Sequence, residues 1–118
     1  MRNLSVSSIR LFLACVLVLT LPACHKKQTS SQYSNHDRAL AAGAVAGSYL
    51  VKNPERSIES FKQATQLEPD NREWKSMLAF AYYKAKRKAE AIPIWQELAK
   101  GNDDIAAQSK RWLNKAGA

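Results

Sequence analysis

Apolar and small side chains recur at helical spacing along the chain beyond residue 37, which predicts a series of amphipathic helices. The first predicted helix runs from about Arg38 to Val51 and is built largely of Ala and Gly, which allow close helix approach. Asn53, Pro54 and Glu55 follow in the order of an N-cap, a first helical residue and a first-turn acid. A second helix therefore begins at this point, and Pro69 ends it.

A third helix is predicted directly after the second. Asp70 and Glu73 have the spacing of a capping box, with Asp70 as the N-cap. In the fourth helix, Pro93 falls near the sixth residue. Because proline lacks an N–H donor and crowds Ala89, it predicts a kink or a delayed helix start.

A fifth helix is predicted at the C-terminal end. Gly101 supplies the end of the fourth helix, and Asp103 or Asp104 caps the next one. This last helix extends from about Asp104 to Lys115. The whole pattern beyond residue 37 is therefore all-α.

Residues 38–71 and residues 72–105 are related by a spacing of 34 residues. The matching pairs are Tyr49 with Tyr83, Ser57 with Ala91, Ile58 with Ile92, Phe61 with Trp95 and Ala64 with Leu98. A period of this length indicates a copied supersecondary unit, and each copy completes its core by stacking on its neighbour. The expected function is therefore binding.

Particular residues in both copies resemble the tetratricopeptide repeat signature. In the second copy these residues are Leu78, Ala79, Tyr82, Ala91 and Trp95, and in the first copy they are Ala44, Val45, Ser48, Ser57, Phe61, Ala64 and Pro69. The resemblance implies antiparallel helix pairs, with about two repeats and a C-terminal capping helix forming an α-solenoid over residues 37–118. It also implies that the fifth helix covers the last repeat, with a polar outer side formed by Gln108, Lys110, Arg111 and Asn114.

The same resemblance implies a binding groove on the concave side, lined by the first helix of each pair and suited to an extended peptide or a partner helix. The matching residues are Ala42, Ala46, Tyr49, Leu50, Ser76, Phe80, Tyr83 and Lys84. The alternative is that these residues are covered by the fifth helix or by the tether that precedes the first helix. Carboxylate clamps of the family carry basic and Asn side chains where this chain has Ala42 and Ala46, so docking of the chaperone type is not expected.

The N-terminal residues have the order of a secretory signal. Arg2 and Arg10 precede the apolar stretch Leu11–Leu21. A transmembrane anchor is the alternative, but these 11 residues are fewer than the roughly 20 that span a bilayer. Leu21-Pro22-Ala23-Cys24 resembles the lipobox of bacterial lipoproteins.

The lipobox resemblance implies removal of residues 1–23 and lipidation of Cys24. Residues 25–36 are polar, rich in Ser and Gln and without apolar periodicity, so residues 24–36 are predicted to be the lipidated Cys and a flexible tether. His25, where Asp would favour the inner membrane, implies a location at the outer membrane, facing the periplasm. The alternative is an ordinary cleaved signal in which Cys24 has no role.

The residue types of catalytic and metal sites do not assemble in this sequence. Cys15 lies in the signal and Cys24 would be acylated, so no thiol remains for a disulfide, a metal or catalysis. His36 and Asp37 have no partner nearby in sequence, and Asp37 is predicted to cap the first helix. No phosphate loop, zinc ligand set or nucleophile–base pair is recognised, so neither an enzyme nor a cofactor is expected.

Positive charge is concentrated at one turn. The chain carries a net charge of +8, and Lys84, Lys86, Arg87 and Lys88 cluster between the third and fourth helices. This basic patch suits acidic lipid headgroups, a glycan or an acidic protein face, and a solvated turn is the alternative. Nucleic acid is not expected, because an exported and membrane-tethered chain rarely meets it.

The sequence therefore favours a membrane-anchored, non-enzymatic scaffold or assembly factor of the bacterial cell envelope. Its protein or peptide partner would belong to outer-membrane, secretion, pilus or cell-wall machinery. The alternative is a structural subunit that self-associates or extends a larger repeat assembly, because two and a half repeats are fewer than the three usually needed for stability.

Overall fold

The computed structural model describes residues 33–118, which form five α-helices. The helices are α1 (Asn35–Tyr49), α2 (Pro54–Leu67), α3 (Arg72–Lys84), α4 (Lys88–Leu98) and α5 (Asp104–Ala116). Residues 33–118 contain no β-strand, and none of their helices combines the length and apolar character that crossing a bilayer requires. The predicted signal peptide, Cys24 and most of the predicted tether lie outside the described residues.

The first helix begins three residues earlier than predicted, at Asn35. Ser34 is its N-cap, because the Ser34 hydroxyl accepts a hydrogen bond from the backbone N–H of Asp37. The Asp37 carboxylate in turn accepts from the backbone N–H of Ser34, which completes a capping box. The prediction of Asp37 as the N-cap is wrong, since this residue is the third helical position of the box.

The start of α2 is confirmed, whereas the cap of α3 differs from the prediction. Asn53 accepts from the backbone N–H of Arg56, and Pro54 is the first residue of α2. The N-cap of α3 is Asn71, whose side chain accepts from the backbone N–H groups of Glu73 and Trp74. Asp70 lies one residue too early to make these bonds, so the predicted capping box is wrong.

The two C-terminal helices lie close to their predicted positions. Helix α4 begins at Lys88 and contains Pro93, so the proline does not delay its start. Asp103 caps α5 by accepting from the backbone N–H of Ala106, as predicted. Gly101 lies three residues beyond the end of α4, and a Cβ there would come within 2.6 Å of the Arg72 guanidinium. Gly101 therefore permits close packing of Arg72 and does not cap α4.

The helices pack in chain order as antiparallel pairs, each against the next, around a main apolar core and a smaller cluster formed by Ala39, Ala42 and Ala64. The large side chains that fill this core are Ile58, Phe61, Trp95 and Leu98, all buried. Ala79 and Ala91 are fully buried where the paired helices α3 and α4 approach, as the repeat pattern predicts. Between α1 and α2, the buried Ser57 hydroxyl donates to the Ala46 carbonyl at 2.8 Å. The polar group of Ser57 is thereby satisfied inside the core.

Helix α1 does not follow the predicted repeat alignment. Val45 is 48% exposed, although its counterpart Ala79 is fully buried, and Ser48 is exposed although its counterpart Tyr82 is buried. The buried residues of α1 are Ala39, Ala42, Gly43 and Ala46. No helix precedes α1 within residues 33–118, so its buried face is set by packing on α2 and Trp74.

Candidate protein-interaction surface

Four aromatic rings from α3, α4 and α5 meet at the C-terminal end of α3. The Trp112 ring centroid lies 4.9 Å from that of Phe80, 5.5 Å from that of Tyr83 and 5.6 Å from that of Trp95, on which it stacks. Trp95 is fully buried, whereas the other three residues are half-buried. Tilted and offset contacts of this kind are favourable for aromatic rings. Trp112 thus brings α5 against the surface of α3.

Two adjoining cavities border this aromatic cluster. The first has a volume of about 170 Å³ and is lined by Ser76, Met77, Phe80, Gln108 and Trp112. The second has a volume of about 250 Å³ and is lined by Gln108, Arg111, Trp112 and Lys115. Both cavities share Gln108 and Trp112. Helices α3 and α5 therefore form a concave surface together.

The predicted groove residues of α3 lie at this surface. Phe80 and Ser76 line the smaller cavity, although Ser76 is itself buried. Tyr83 is half-buried between the Trp95 and Trp112 rings, and Lys84 is exposed. Helix α5 contacts these residues without burying Phe80 and Tyr83 completely. The exposed surface beside Phe80 and Tyr83 is therefore formed by both α3 and α5.

The predicted groove residues of α1 lie elsewhere and are less available. Ala46 is fully buried, so its side chain cannot contact a partner, and this assignment is wrong. Ala42 is also buried, at the edge of a separate cavity of about 300 Å³ between α1 and α2. The Tyr49 ring lies beneath the Arg56 guanidinium at 4.3 Å, and Leu50 packs against the core. None of these four residues lines the two cavities at α5.

The basic patch is smaller than predicted. Lys84, Lys86 and Lys88 are exposed, but the Arg87 guanidinium forms ion pairs with Glu55, at 2.8 Å, and with Glu90. The hydrogen bonds to Glu90, the larger cause, and to Glu55 raise the pKa of Arg87. The hydrogen bond from Arg87 lowers the pKa of Glu90. Arg87 also stacks over the Tyr82 ring. Arg87 therefore joins α2 to the α3–α4 turn, and its assignment to a free basic patch is wrong.

The tetratricopeptide repeat family matches residues 49–111, just over half of the chain. The chain belongs to the tetratricopeptide repeat family. The repeats of this family generally mediate protein–protein interaction and are typically non-enzymatic. The match begins at the last residue of α1, in keeping with the different burial pattern of that helix. No curated protein and no solved structure shows a significant match to the chain.

Helix α5 contributes to the surface of this tetratricopeptide repeat domain more than the sequence indicates. Gln108, Arg111, Trp112 and Lys115 all line the cavities, and the Lys115 ammonium lies 4.9 Å from the Trp112 ring centroid. The repeat resemblance implies only a capping role for α5, with Gln108 and Arg111 on a polar outer side. The signal that could have found the site is a tryptophan on a short C-terminal helix with basic residues around it.

Glu68 is a second feature that sequence spacing missed. One carboxylate oxygen lies 2.7 Å from His36 Nδ1 on α1, and the other accepts from Trp74 Nε1 on α3 at 2.7 Å and from Asn71. The hydrogen bond with Glu68 raises the pKa of His36, and the same bond lowers the pKa of Glu68. His36 and Glu68 are 32 residues apart, so no local pattern indicates the pair.

The Glu68 carboxylate links α1 to the start of α3 through its hydrogen-bond partners. Across residues 33–118 there is no group of three or more His, Cys, Asp or Glu side chains that could hold a metal ion. Trp74 and Asn71 both donate to Glu68, and the carboxylate binds three side chains from different positions of the repeat. The cluster therefore fixes α1 against the α2–α3 connection.

Proposed function

We propose that this tetratricopeptide repeat protein is a lipid-anchored scaffold of the bacterial cell envelope, which holds a peptide or helix of another envelope protein. The binding role follows from the family, and the observation that supports its location is the half-buried aromatic cluster at α3 and α5. Half-buried aromatic residues beside cavities are the usual anchors of protein recognition. Phe80, Tyr83 and Trp112 provide this combination.

The anchor of this proposal is Cys24, in the sequence Leu21-Pro22-Ala23-Cys24. Two or more acyl chains on one residue give stable membrane attachment, whereas a single chain binds reversibly. Because α1 begins at Asn35, ten residues separate it from Cys24, and a flexible tether of that length spans roughly 17 Å. His25 supports the outer membrane, facing the periplasm, as the location.

The anchor is tested by the substitution Cys24→Ala. We expect unprocessed precursor to accumulate, because cleavage in lipoproteins follows lipidation of the Cys. Gel mobility and the mass of the purified chain report the result. Normal processing of the variant would refute the lipid anchor.

The interaction surface is tested by Phe80→Ala together with Tyr83→Ala. We expect the variant to lose a partner that co-purifies with the crosslinked wild-type chain from membranes. Circular dichroism provides the control, because unchanged helicity separates loss of the surface from loss of the fold. Retained binding by the folded variant would rule out this surface.

A structural subunit remains the second candidate function, and the exposed side of α1 favours it. Leu40 is 47% exposed and Val45 is 48% exposed, and α1 is the first helix of the described residues 33–118. A further repeat or a second copy could pack on this exposed side. Sedimentation of the domain at several concentrations decides between the candidates, since a stable monomer at low micromolar concentration counts against self-association.

A further inference from the structure

Three lysines surround the aromatic cluster, and together they define a basic aromatic face. The face consists of Phe80, Tyr83, Trp112, Lys84, Lys88 and Lys115. The ammonium groups lie 5.9 Å from the Phe80 ring centroid for Lys84, 5.8 Å from that of Tyr83 for Lys88, and 4.9 Å from that of Trp112 for Lys115. The three positive charges are thus gathered beside one apolar surface.

The positive charge of this face is not neutralised within the described part of the chain. Lys62, Arg72, Lys75 and Arg87 each form an ion pair with a carboxylate. By contrast, none of the three lysines of the face pairs with a carboxylate of residues 33–118. Beyond Asp104, moreover, α5 has no acidic residue. An anionic occupant is therefore electrostatically favoured.

The smaller cavity suits one apolar side chain. Met77, Phe80 and Trp112 form its apolar walls, and Ser76 and Gln108 provide polar groups at its margin. Its volume of about 170 Å³ is close to that of an apolar protein cavity of about 150 Å³ that binds benzene. The side chain of Phe or Leu in a partner would match this space.

A peptide fits these observations better than a lipid surface. Binding to a bilayer is strengthened by apolar side chains that insert into it, but Phe80, Tyr83 and Trp112 are half-buried. A cavity beside lysines instead matches a segment with one apolar anchor between carboxylates. We infer that the partner segment held by α3 and α5 is acidic and carries a single Phe or Leu anchor. This inference rests on the proposed function and specifies the chemistry of its ligand.

The inference is tested with the full chain in mild detergent and three fluorescent peptides of equal length. The first peptide has one Phe flanked by Asp and Glu, the second replaces each acid by its amide, and the third replaces Phe by Ala. We expect the amide and Ala peptides to bind about tenfold more weakly than the first, because each lacks one part of the match. Fluorescence anisotropy measures the three dissociation constants.

A matched pair of double variants assigns the binding to the face. Lys84→Gln with Lys115→Gln should weaken binding of the acidic peptide about fivefold, as expected for two exposed charges. Lys52→Gln with Lys100→Gln removes the same charge from exposed positions that line neither cavity, and should leave the affinity unchanged. An equal loss in both double variants would show non-specific attraction and overturn the inference.

Two further outcomes separate this inference from the proposed function. Equal binding of the acidic and amide peptides, or binding of short-chain phosphatidylglycerol without binding of any peptide, overturns the acidic segment. In a second experiment, the partner is captured from membranes with each of two double variants, Lys84→Gln/Lys115→Gln and Phe80→Ala/Tyr83→Ala. If only the aromatic substitutions reduce capture, the proposed function stands and the acidic segment is wrong. If neither variant reduces capture, the proposed surface itself is wrong.

Discussion

Gly43 and Gly47 lie one turn apart on α1 in different surroundings. A Cβ at Gly43 would lie 2.4 Å from the Trp74 ring, whereas a Cβ at Gly47 would have no atom within 4 Å apart from its chain neighbours and the backbone of its own helix. Alanine favours a helix over glycine by about 1 kcal/mol, but overpacking a fixed ring costs about 1–3 kcal/mol. The contact with Trp74 therefore decides the effect at Gly43, and helix propensity decides it at Gly47.

We therefore predict opposite effects for two chemically identical substitutions. Gly47→Ala should raise the free energy of unfolding by about 1 kcal/mol. Gly43→Ala should lower it by up to about 2 kcal/mol, because the clash outweighs the gain in helix propensity. Urea denaturation followed by circular dichroism measures both. Stabilisation by Gly43→Ala would show that Trp74 does not pack on α1 as described.

The His36–Glu68 pair predicts a pH dependence of stability. The hydrogen bond raises the pKa of His36 above its ordinary value of 6.5, so protonated His36 favours the folded state. This contribution is fully present below pH 6.5 and is lost as the pH rises through the raised pKa. It also requires ionised Glu68, and the hydrogen bond with His36 lowers the pKa of Glu68 from its ordinary value of 4.5.

We expect the wild-type chain to have a higher unfolding free energy than His36→Gln. This difference should be larger at pH 5.5 than at pH 8.5. Urea denaturation of both chains at the two pH values gives this difference. Glutamine serves as the control because it is uncharged at both pH values while retaining hydrogen-bonding groups. A difference that is constant, or larger at pH 8.5, would contradict the role of the pair.

The connection between α3 and α4 illustrates how a turn is specified at the level of an element. Lys86 has a φ of 66°, in the left-handed region, and its N–H donates to the Tyr83 carbonyl. The N–H of Arg87 donates to the Tyr82 carbonyl, and the two bonds together form a Schellman motif. Arg87 then holds Glu55 and Glu90, so the turn is fixed by both backbone and side-chain bonds.

Glycine at residue 86 should stabilise this turn. Left-handed backbone costs a non-glycine residue about 1–2 kcal/mol, and the greater freedom of glycine in the unfolded chain offsets part of the gain. We predict that Lys86→Gly raises the free energy of unfolding by about 0.5–1 kcal/mol. Lys86→Ala removes the same charge but keeps Cβ, and thermal unfolding of this control should show no comparable gain. Equal stability of both variants would contradict the strained turn.

How much the sequence predicts also differs between elements. The helix pair α3–α4 is specified by local spacing, because Ala79 and Ala91 are small where the helices approach and Trp95 fills the core. The alignment fails for α1, because its burial depends on Trp74 and α2 and not on a preceding repeat. The 34-residue period predicts which residues are buried in a helix that has a neighbour on both sides, whereas α1 has a described neighbour on one side only.

The candidate surface was predictable only in part, for a related reason. Phe80 and Tyr83 are identified by their repeat positions, since those positions face the concave side. Trp112, Gln108 and Lys115 lie on α5, beyond the two predicted repeats, and their role depends on how closely α5 approaches α3. Arg87 was misassigned because its partner Glu55 is 32 residues away in the chain. Long-range ion pairs leave no local signal in the sequence.

For the molecule as a whole, the two ends of the repeat array have different surfaces. The N-terminal edge at α1 presents scattered aliphatic side chains, including Leu40 and Val45. The α3–α5 end presents cavities, aromatic rings and lysines that pair with no carboxylate of residues 33–118. The proposed recognition surface lies at the α3–α5 end. The central claim is that a partner protein contacts this second end.

Site-specific photo-crosslinking in intact membranes tests that claim most directly. A photoreactive residue replaces Gln108, which lines both cavities, or Leu40 on α1 as the matched control, and the products are identified by mass spectrometry. We predict that position 108 crosslinks to a different protein and that position 40 does not. No product from position 108, together with a product of twice the chain's own mass from position 40, would contradict the scaffold and support a self-associating subunit.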